Sequence, residues 1–208
     1  LVFAFGAREA IPILTVAQLV GNGSRVWFNR RELDYPVVGW FACGAVPFGL
    51  LGGFLFAHAP LGALTRLLGV FLLLVVVGRH CRSAPRIRPS LRSFALIGAG
   101  ASFLSALLGS VGPLMAPFFL AYGLVKGAYL GTEALSTVVM HVTKLAAYRS
   151  AAVLPGSSAL AGLVLGPLMI AGSWLGKRIV NRLPERMFVL LIEATMALAG
   201  LLFLTRGK

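Results

Sequence analysis

Thr137, His141, Lys144 and Tyr148 follow one another at intervals of four, three and four residues. That spacing lays them on one face of a helix. A hydroxyl, an imidazole, an ammonium and a phenol in a row can line a path for a small anion. Lys144 would be its charge partner, and His141 is able to change protonation near neutral pH. A plainer reading stands beside this one: Lys144, close to the end of its apolar run, extends its ammonium to a membrane interface while His141 bonds a neighbour. A second row, Thr15, Gln18, Asn22 and Arg25, is spaced three, four and three. Its amides and hydroxyl can bond an oxyanion without the cost of desolvating a full charge. Arg25 lies where its apolar run meets a basic loop, so contact with lipid headgroups is the alternative for it.

A third feature is a stretch of backbone. Phe94–Leu124 is apolar, yet its middle reads LLGSVGPLMAP, with Gly109, Gly112, Pro113 and Pro117 close together. Non-helical backbone at membrane depth survives only where protein buries it or water reaches it. Gly109 and Gly112 permit a sharp turn, and Pro113 suits the first position of a new helix, where its missing N–H costs nothing. A half-helix opening there would aim N–H groups and a positive dipole end at the turn, which is an anion site. Ser110 adds a hydroxyl donor. The alternative is a proline kink that shapes packing alone.

The elements that must hold these residues follow from composition. Of 208 residues 58% are hydrophobic and 12% charged, with mean hydropathy +0.90. Soluble domains carry about 25% charged residues, so the chain is expected to be an all-α, polytopic transmembrane bundle. Nineteen Lys and Arg against six Asp and Glu give a net charge of +13. This excess does not mark a nucleic-acid binder, because the basic residues lie between apolar runs, where they orient a membrane protein. Spans of about 20 apolar residues are read near 10–28, 35–57, 61–78, 128–148, 157–175 and 187–204, with the interrupted segment 94–124 among them.

The chain also resembles itself. At an offset of 124, Glu9–Pro12 falls on Glu133–Ser136, Arg25 on Arg149 and Pro60 on Pro184. With one residue of slip, Gly49 and Gly53 fall on Gly172 and Gly176, glycines that suit close helix packing. Residues 1–78 are read as a first repeat, 79–92 as a basic connecting loop and 93–208 as a second repeat. In that register the first repeat lacks a counterpart of the broken segment, so the chain is expected to be a fragment short of about thirty N-terminal residues, a second broken helix among them. The two polar rows do not superpose at this offset, so a site built from both is asymmetric. If 94–124 turns at GSVGP and leaves on the side it entered, thirteen basic residues collect on one side and five on the other. That is the stronger charge bias, and it makes the repeats inverted, each with a broken or re-entrant first helix. A broken but fully spanning helix stays open.

Phe103–Leu124, Ala128–Ser136 (AYLGTEALS) and Gly172–Pro184 (GSWLGKRIVNRLP) together resemble the sulfite exporter TauE/SafE family. Gly109, Gly112, Pro113 and Pro117 match its glycine-rich turn and following proline, Gly131 and Thr132 its A-x-G-T element, and Gly172, Gly176, Leu183 and Pro184 its closing element. The first repeat matches more loosely through Gly49, Gly53 and Pro60, and Val111 stands where a glycine is common. The resemblance implies transport of sulfur-containing anions, such as sulfite and sulfonates, across the plasma membrane.

The leading expectation is therefore a secondary transporter, a permease or exporter, moving small sulfur oxyanions or organosulfonates by alternating access between two repeats. Its expected binding residues are Gly109, Ser110, Gly112, Pro113, Thr137, His141, Lys144, Gln18, Asn22 and Arg25. No catalytic residue, metal or other cofactor is called for. The expected partners are the anion, membrane lipid and a coupling ion, proton or sodium, with homo-oligomerisation open and nucleic acid set aside. Glu133 and Glu193 are open between holding that cation, meeting Lys177 and Arg178, and serving helix starts. The alternatives are a non-transporting scaffold or assembly factor, which has no need of broken backbone, and an intramembrane enzyme. The enzyme lacks any clear pairing of nucleophile and base, and His58 and His80 fall at loops.

Overall fold

A computed structural model describes residues 2–58, 88–108, 111–151, 156–192 and 194–195. The expected span 61–78, most of the basic loop, Gly109, Ser110, Glu193 and the end of the last span lie outside the described residues. Within them every regular element is a helix: α1 (Val2–Asn29), α2 (Tyr35–His58), α3 (Ser93–Leu108), α4 (Gly112–Tyr122), α5 (Lys126–Ser150), α6 (Gly156–Val164), α7 (Gly166–Arg182) and α8 (185–192). The tight link from α1 to α2 ends in Asp34, whose carboxylate accepts the Val37 N–H at 3.1 Å as an N-terminal cap, with Pro36 following in the first turn. Leu165 is a turn residue, with Pro167 just beyond it at the start of α7. Proline cannot continue the helical ladder back to Leu163, so the expected span 157–175 becomes two helices reaching from Gly156 to Arg182.

Glycines decide which helices touch. A Cβ on Gly44 would strike the Ala95 carbonyl, one on Gly98 the Phe41 carbonyl, and one on Gly52 would sit 2.8 Å from the Phe103 carbonyl. The backbones of α2 and α3 are therefore in direct contact, as small residues allow between helices in a membrane. From Gly44 on Ala95, through Gly49 on Ser102, to Gly52 on Phe103 the numbers rise together, so α2 and α3 run parallel. Gly49 meets Thr143, Gly53 meets Ala147, and the Phe56 ring lies 5.2 Å from that of Tyr148, so α5 also runs parallel to α2. Since α3 and α5 point the same way, α4 has to run back between them. The rings agree: Phe94, in the first turn of α3, packs edge-on at 5.2 Å against Tyr122, the last residue of α4. The interrupted segment is thus a helical hairpin with its tip at the break. Phe41, Phe94, Met115, Phe119, Tyr129 and Phe188 form the core around the open end of this hairpin. Gly123, with φ of +110°, ends α4 in the left-handed conformation that glycine adopts without strain.

α1 runs against α5 and alongside α6 and α7. It pairs Arg25 with Glu133 and Glu32 with Gly127 in the first case, and Val16 with Gly162, Val20 with Gly166 and Asn29 with Lys177 in the second. Gly49 and Gly53 are packed as expected. Gly172 and Gly176 are not: among the described residues nothing lies within 4 Å of where their side chains would begin. They border a cavity instead, described below.

Among the described residues two helices are long and apolar enough to cross a membrane, Tyr35–His58 and Gly156–Arg182, and Ser93–Leu107 is apolar but shorter. α1 and α5 are as long, 28 and 25 residues, but carry their polar rows in the middle. Those rows face each other.

Candidate functional site

The facing rows enclose a cavity of about 260 Å³. α1 contributes Gln18, Gly21, Asn22 and Arg25; α5 contributes Glu133, Thr137, Met140 and His141. Ser105 comes from the end of α3, Val111 and Gly112 from the break, and Met169 and Ser173 from α7. The cavity therefore sits at the tip of the hairpin, where the backbone leaves helical geometry.

Its polar groups form one chain of hydrogen bonds. Asn22 donates through Nδ2 to the Gln18 carbonyl at 2.9 Å and accepts from Arg25 Nη1 at 3.0 Å. Arg25 Nη2 donates to Glu133 Oε2 at 2.7 Å, and Thr137 Oγ1 donates to Glu133 Oε1 at 3.1 Å. The Glu133 side chain is 6% exposed and that of Arg25 is 29%. A charged pair this sheltered needs its remaining valences satisfied, and Asn22 and Thr137 supply that. His141 breaks the pattern. It is 1% exposed, and neither ring nitrogen has a hydrogen-bond partner among the described residues. A buried imidazole without partners is costly, and this one borders a cavity large enough for a small oxyanion.

A second cavity, about 390 Å³, adjoins the first. It shares Arg25, Met169 and Ser173 with it and adds Asn29, Gly172, Gly176 and Lys177. Lys177 donates to Asn29 Oδ1 at 2.5 Å and to Glu32 Oε1 at 2.9 Å.

Gln18, Asn22, Arg25, Gly112, Thr137 and His141, expected from the sequence to bind, thus border one cavity. Gly109 and Ser110 lie outside the described residues, as does the side chain of Pro113. Thr15 is fully buried and bonds the Ile11 carbonyl within its own helix. Arg25 does not reach outward to headgroups; it turns inward to Glu133, which is neither a helix-start residue nor a partner of Lys177 or Arg178.

Lys144 is placed differently from both of its expected roles. It is fully buried, so it does not extend to an interface, and it does not border the cavity. Its ammonium donates to Ser105 Oγ at 2.9 Å and to the Ser105 carbonyl at 3.3 Å, and the Tyr148 hydroxyl donates to the Ala106 carbonyl at 2.5 Å. Those carbonyls lie in the last described turn of α3. Lys144 and Tyr148 thus bind the C-terminal part of that helix, with the positive charge toward the negative end of the dipole. The start of α4 is also less open than expected. Pro113 has no N–H, and the Leu114 N–H donates to the Val111 carbonyl at 2.9 Å, which leaves Gly112 as the backbone donor at the cavity.

Ser105, Ser173 and Glu133 are cavity residues that spacing alone did not assign. Glu133 had a signal, since it precedes Thr137 and His141 at two successive intervals of four. Ser173 stands singly on its helix and gave none, and the spacing of Ser102 and Ser105 on α3 was not used.

A helical bundle whose longest polar helices turn their polar faces inward, onto a cavity at a break in a hairpin, has the build of a membrane carrier. The family model for the sulfite exporter TauE/SafE matches residues 1–203, and the chain belongs to this family of integral-membrane transporters. No curated protein and no solved structure matches the chain.

Proposed function

We propose that the protein is a secondary carrier for small sulfur-containing oxyanions or organosulfonates, working by alternating access between an N-terminal repeat, 1–78, and a C-terminal repeat, 93–208. The observation that carries this reading is the 260 Å³ cavity at the hairpin tip, with a guanidinium in its wall and a buried, partnerless imidazole beside it. Arg25 supplies charge to the anion; Asn22, Gln18, Thr137 and His141 supply hydrogen bonds, and Gly112 its N–H at the start of α4. Gly109, Ser110 and Pro113 belong to the proposed binding set on sequence grounds, and Lys144 acts behind it by holding α3 at Ser105.

Helix directions support inversion of the repeats. The counterparts at offset 124 run opposite ways, α1 against α5 and α2 against α6 and α7. The hairpin form of 93–122 supports the topology that gathers thirteen basic residues on one side. That side is read as cytoplasmic. Trp27 and Trp174, both exposed, lie toward it and carry Arg30 and Arg178 over their rings at 4.4 and 3.8 Å, an arrangement suited to the headgroup level. The driving force would be the anion's own gradient or that of a coupling proton or sodium ion.

The test is thermal stability of the purified protein in detergent against sulfite, sulfate, thiosulfate, a sulfonate and chloride. A ligand at 100 times its Kd stabilises the state that binds it by about 2.7 kcal/mol. That corresponds to a rise of roughly 5–10 °C for a chain of this size. A rise with one sulfur oxyanion, lost in Arg25→Gln, is the expected result. No rise with any of them refutes the reading.

A further inference from the structure

Among the described residues Arg25 is the one charged group common to both cavities, and its guanidinium already holds an anion, the carboxylate of Glu133. Glu133 borders the first cavity only. The pair therefore stands where the cavities meet, with the carboxylate in the position an incoming oxyanion would take on Nη2. An oxyanion entering the first cavity faces two opposed effects: attraction by Arg25 and repulsion by a carboxylate a few ångströms away. The hydrogen-bond chain shows how the conflict resolves. Thr137 grips the other oxygen of Glu133, and Asn22 grips the other terminal nitrogen of Arg25, so each partner stays held when the bond between them is exchanged.

We propose that Glu133 is an internal competitor: a tethered carboxylate that occupies Arg25 when the carrier is empty, seals the junction between the cavities, and is displaced from the guanidinium by the transported anion. The anion then passes from one cavity to the next while remaining on the same guanidinium, and the carboxylate returns behind it. The proposal rests on the anion-carrier reading and deepens it. It also accounts for a feature that the carrier reading leaves unexplained, an acid in the wall of an anion site.

The experiment measures sulfite and sulfate affinity by thermal shift and calorimetry for the wild type, Glu133→Gln, Arg25→Gln and the double variant. Removing a unit charge beside the bound anion should tighten binding about tenfold in Glu133→Gln. Arg25→Gln should lose binding, and adding Glu133→Gln to it should restore none. If the wild type binds but Glu133→Gln binds equally or more weakly, the competitor is overturned and the carrier reading stands. If the wild type binds neither anion, nor any other in the panel, the carrier reading itself has failed. A second measurement needs no variant, in case the uncoupled pair prevents folding. Carbodiimide labelling of Glu133 in the wild-type protein, read by mass spectrometry, should speed up several-fold on addition of the anion that binds. Unchanged or slowed labelling overturns the proposal.

Discussion

Replacing Lys144 with Met tests whether this ammonium serves the ligand or the hairpin. The two roles predict opposite patterns. Ser105 and Ala106 lie in the last described turn of α3, Ser93–Leu108. Ser105 receives Lys144 at two atoms, 3.3 and 2.9 Å away, and Ala106 receives Tyr148. A hydrogen bond to a charged donor contributes about 1.5–3 kcal/mol, and a buried acceptor left without a donor costs about 1–3 kcal/mol. Against this, methionine no longer has to desolvate an ammonium, which returns part of the loss. The net expectation for Lys144→Met is a destabilisation of about 2 kcal/mol, and for Tyr148→Phe, which loses a neutral bond, about 1 kcal/mol. In a chain of 208 residues this lowers the melting temperature by roughly 4–8 and 2–4 °C. Because both caps hold one helix end, the double variant should depart from additivity. The assay is reversible unfolding in micelles beside anion titration of the same samples. If Lys144→Met melts within a degree of the wild type yet no longer binds the anion, the ammonium belongs to the ligand and the capping argument is wrong.

Three further outcomes follow from the same geometry. Gly44→Ala would place its Cβ against the Ala95 carbonyl and 2.9 Å from the Ala99 nitrogen, backbone atoms that yield poorly; a loss of about 1–3 kcal/mol is expected. Gly172→Ala, in open space, should be neutral or stabilising by up to about 1 kcal/mol, and melting curves separate the two. His141→Leu should raise stability by about 1 kcal/mol, by removing two unpartnered buried nitrogens, while weakening the anion, a divergence that calorimetry and melting together reveal.

Composition and the length of apolar runs were enough to show the helical class, and LLGSVGPLMAP marked the break. The start of α2 falls at the expected residue 35, and that of α5 two residues before the expected 128. Two things were not legible. One was partnership: Arg25 and Glu133 are 108 residues apart, and nothing local announces that their helices run antiparallel with these residues level. The other was depth. Helical periodicity puts Thr137, His141, Lys144 and Tyr148 on one stripe, which is correct as azimuth. It is silent on what lies opposite each turn. At His141 the stripe borders the cavity; one turn further it meets the end of α3.

That change of partner along a single stripe has a physical cause that could be sought in other sequences. A helix broken inside a membrane exposes carbonyls that lipid cannot satisfy. Some other element has to bring donors to the level of the break, and to leave the binding space clear they must sit beside the site instead of in it. A lysine and a tyrosine four residues apart on the neighbouring helix, just beyond its polar binding face, meet that need. The same helix thus performs two tasks in order: Glu133, Thr137 and His141 at the cavity, then Lys144 and Tyr148 at the break. Because Lys144 ties the end of α3 to the helix that carries Glu133, Thr137 and His141, a movement of α5 that keeps this contact carries the end of α3 and the cavity wall together.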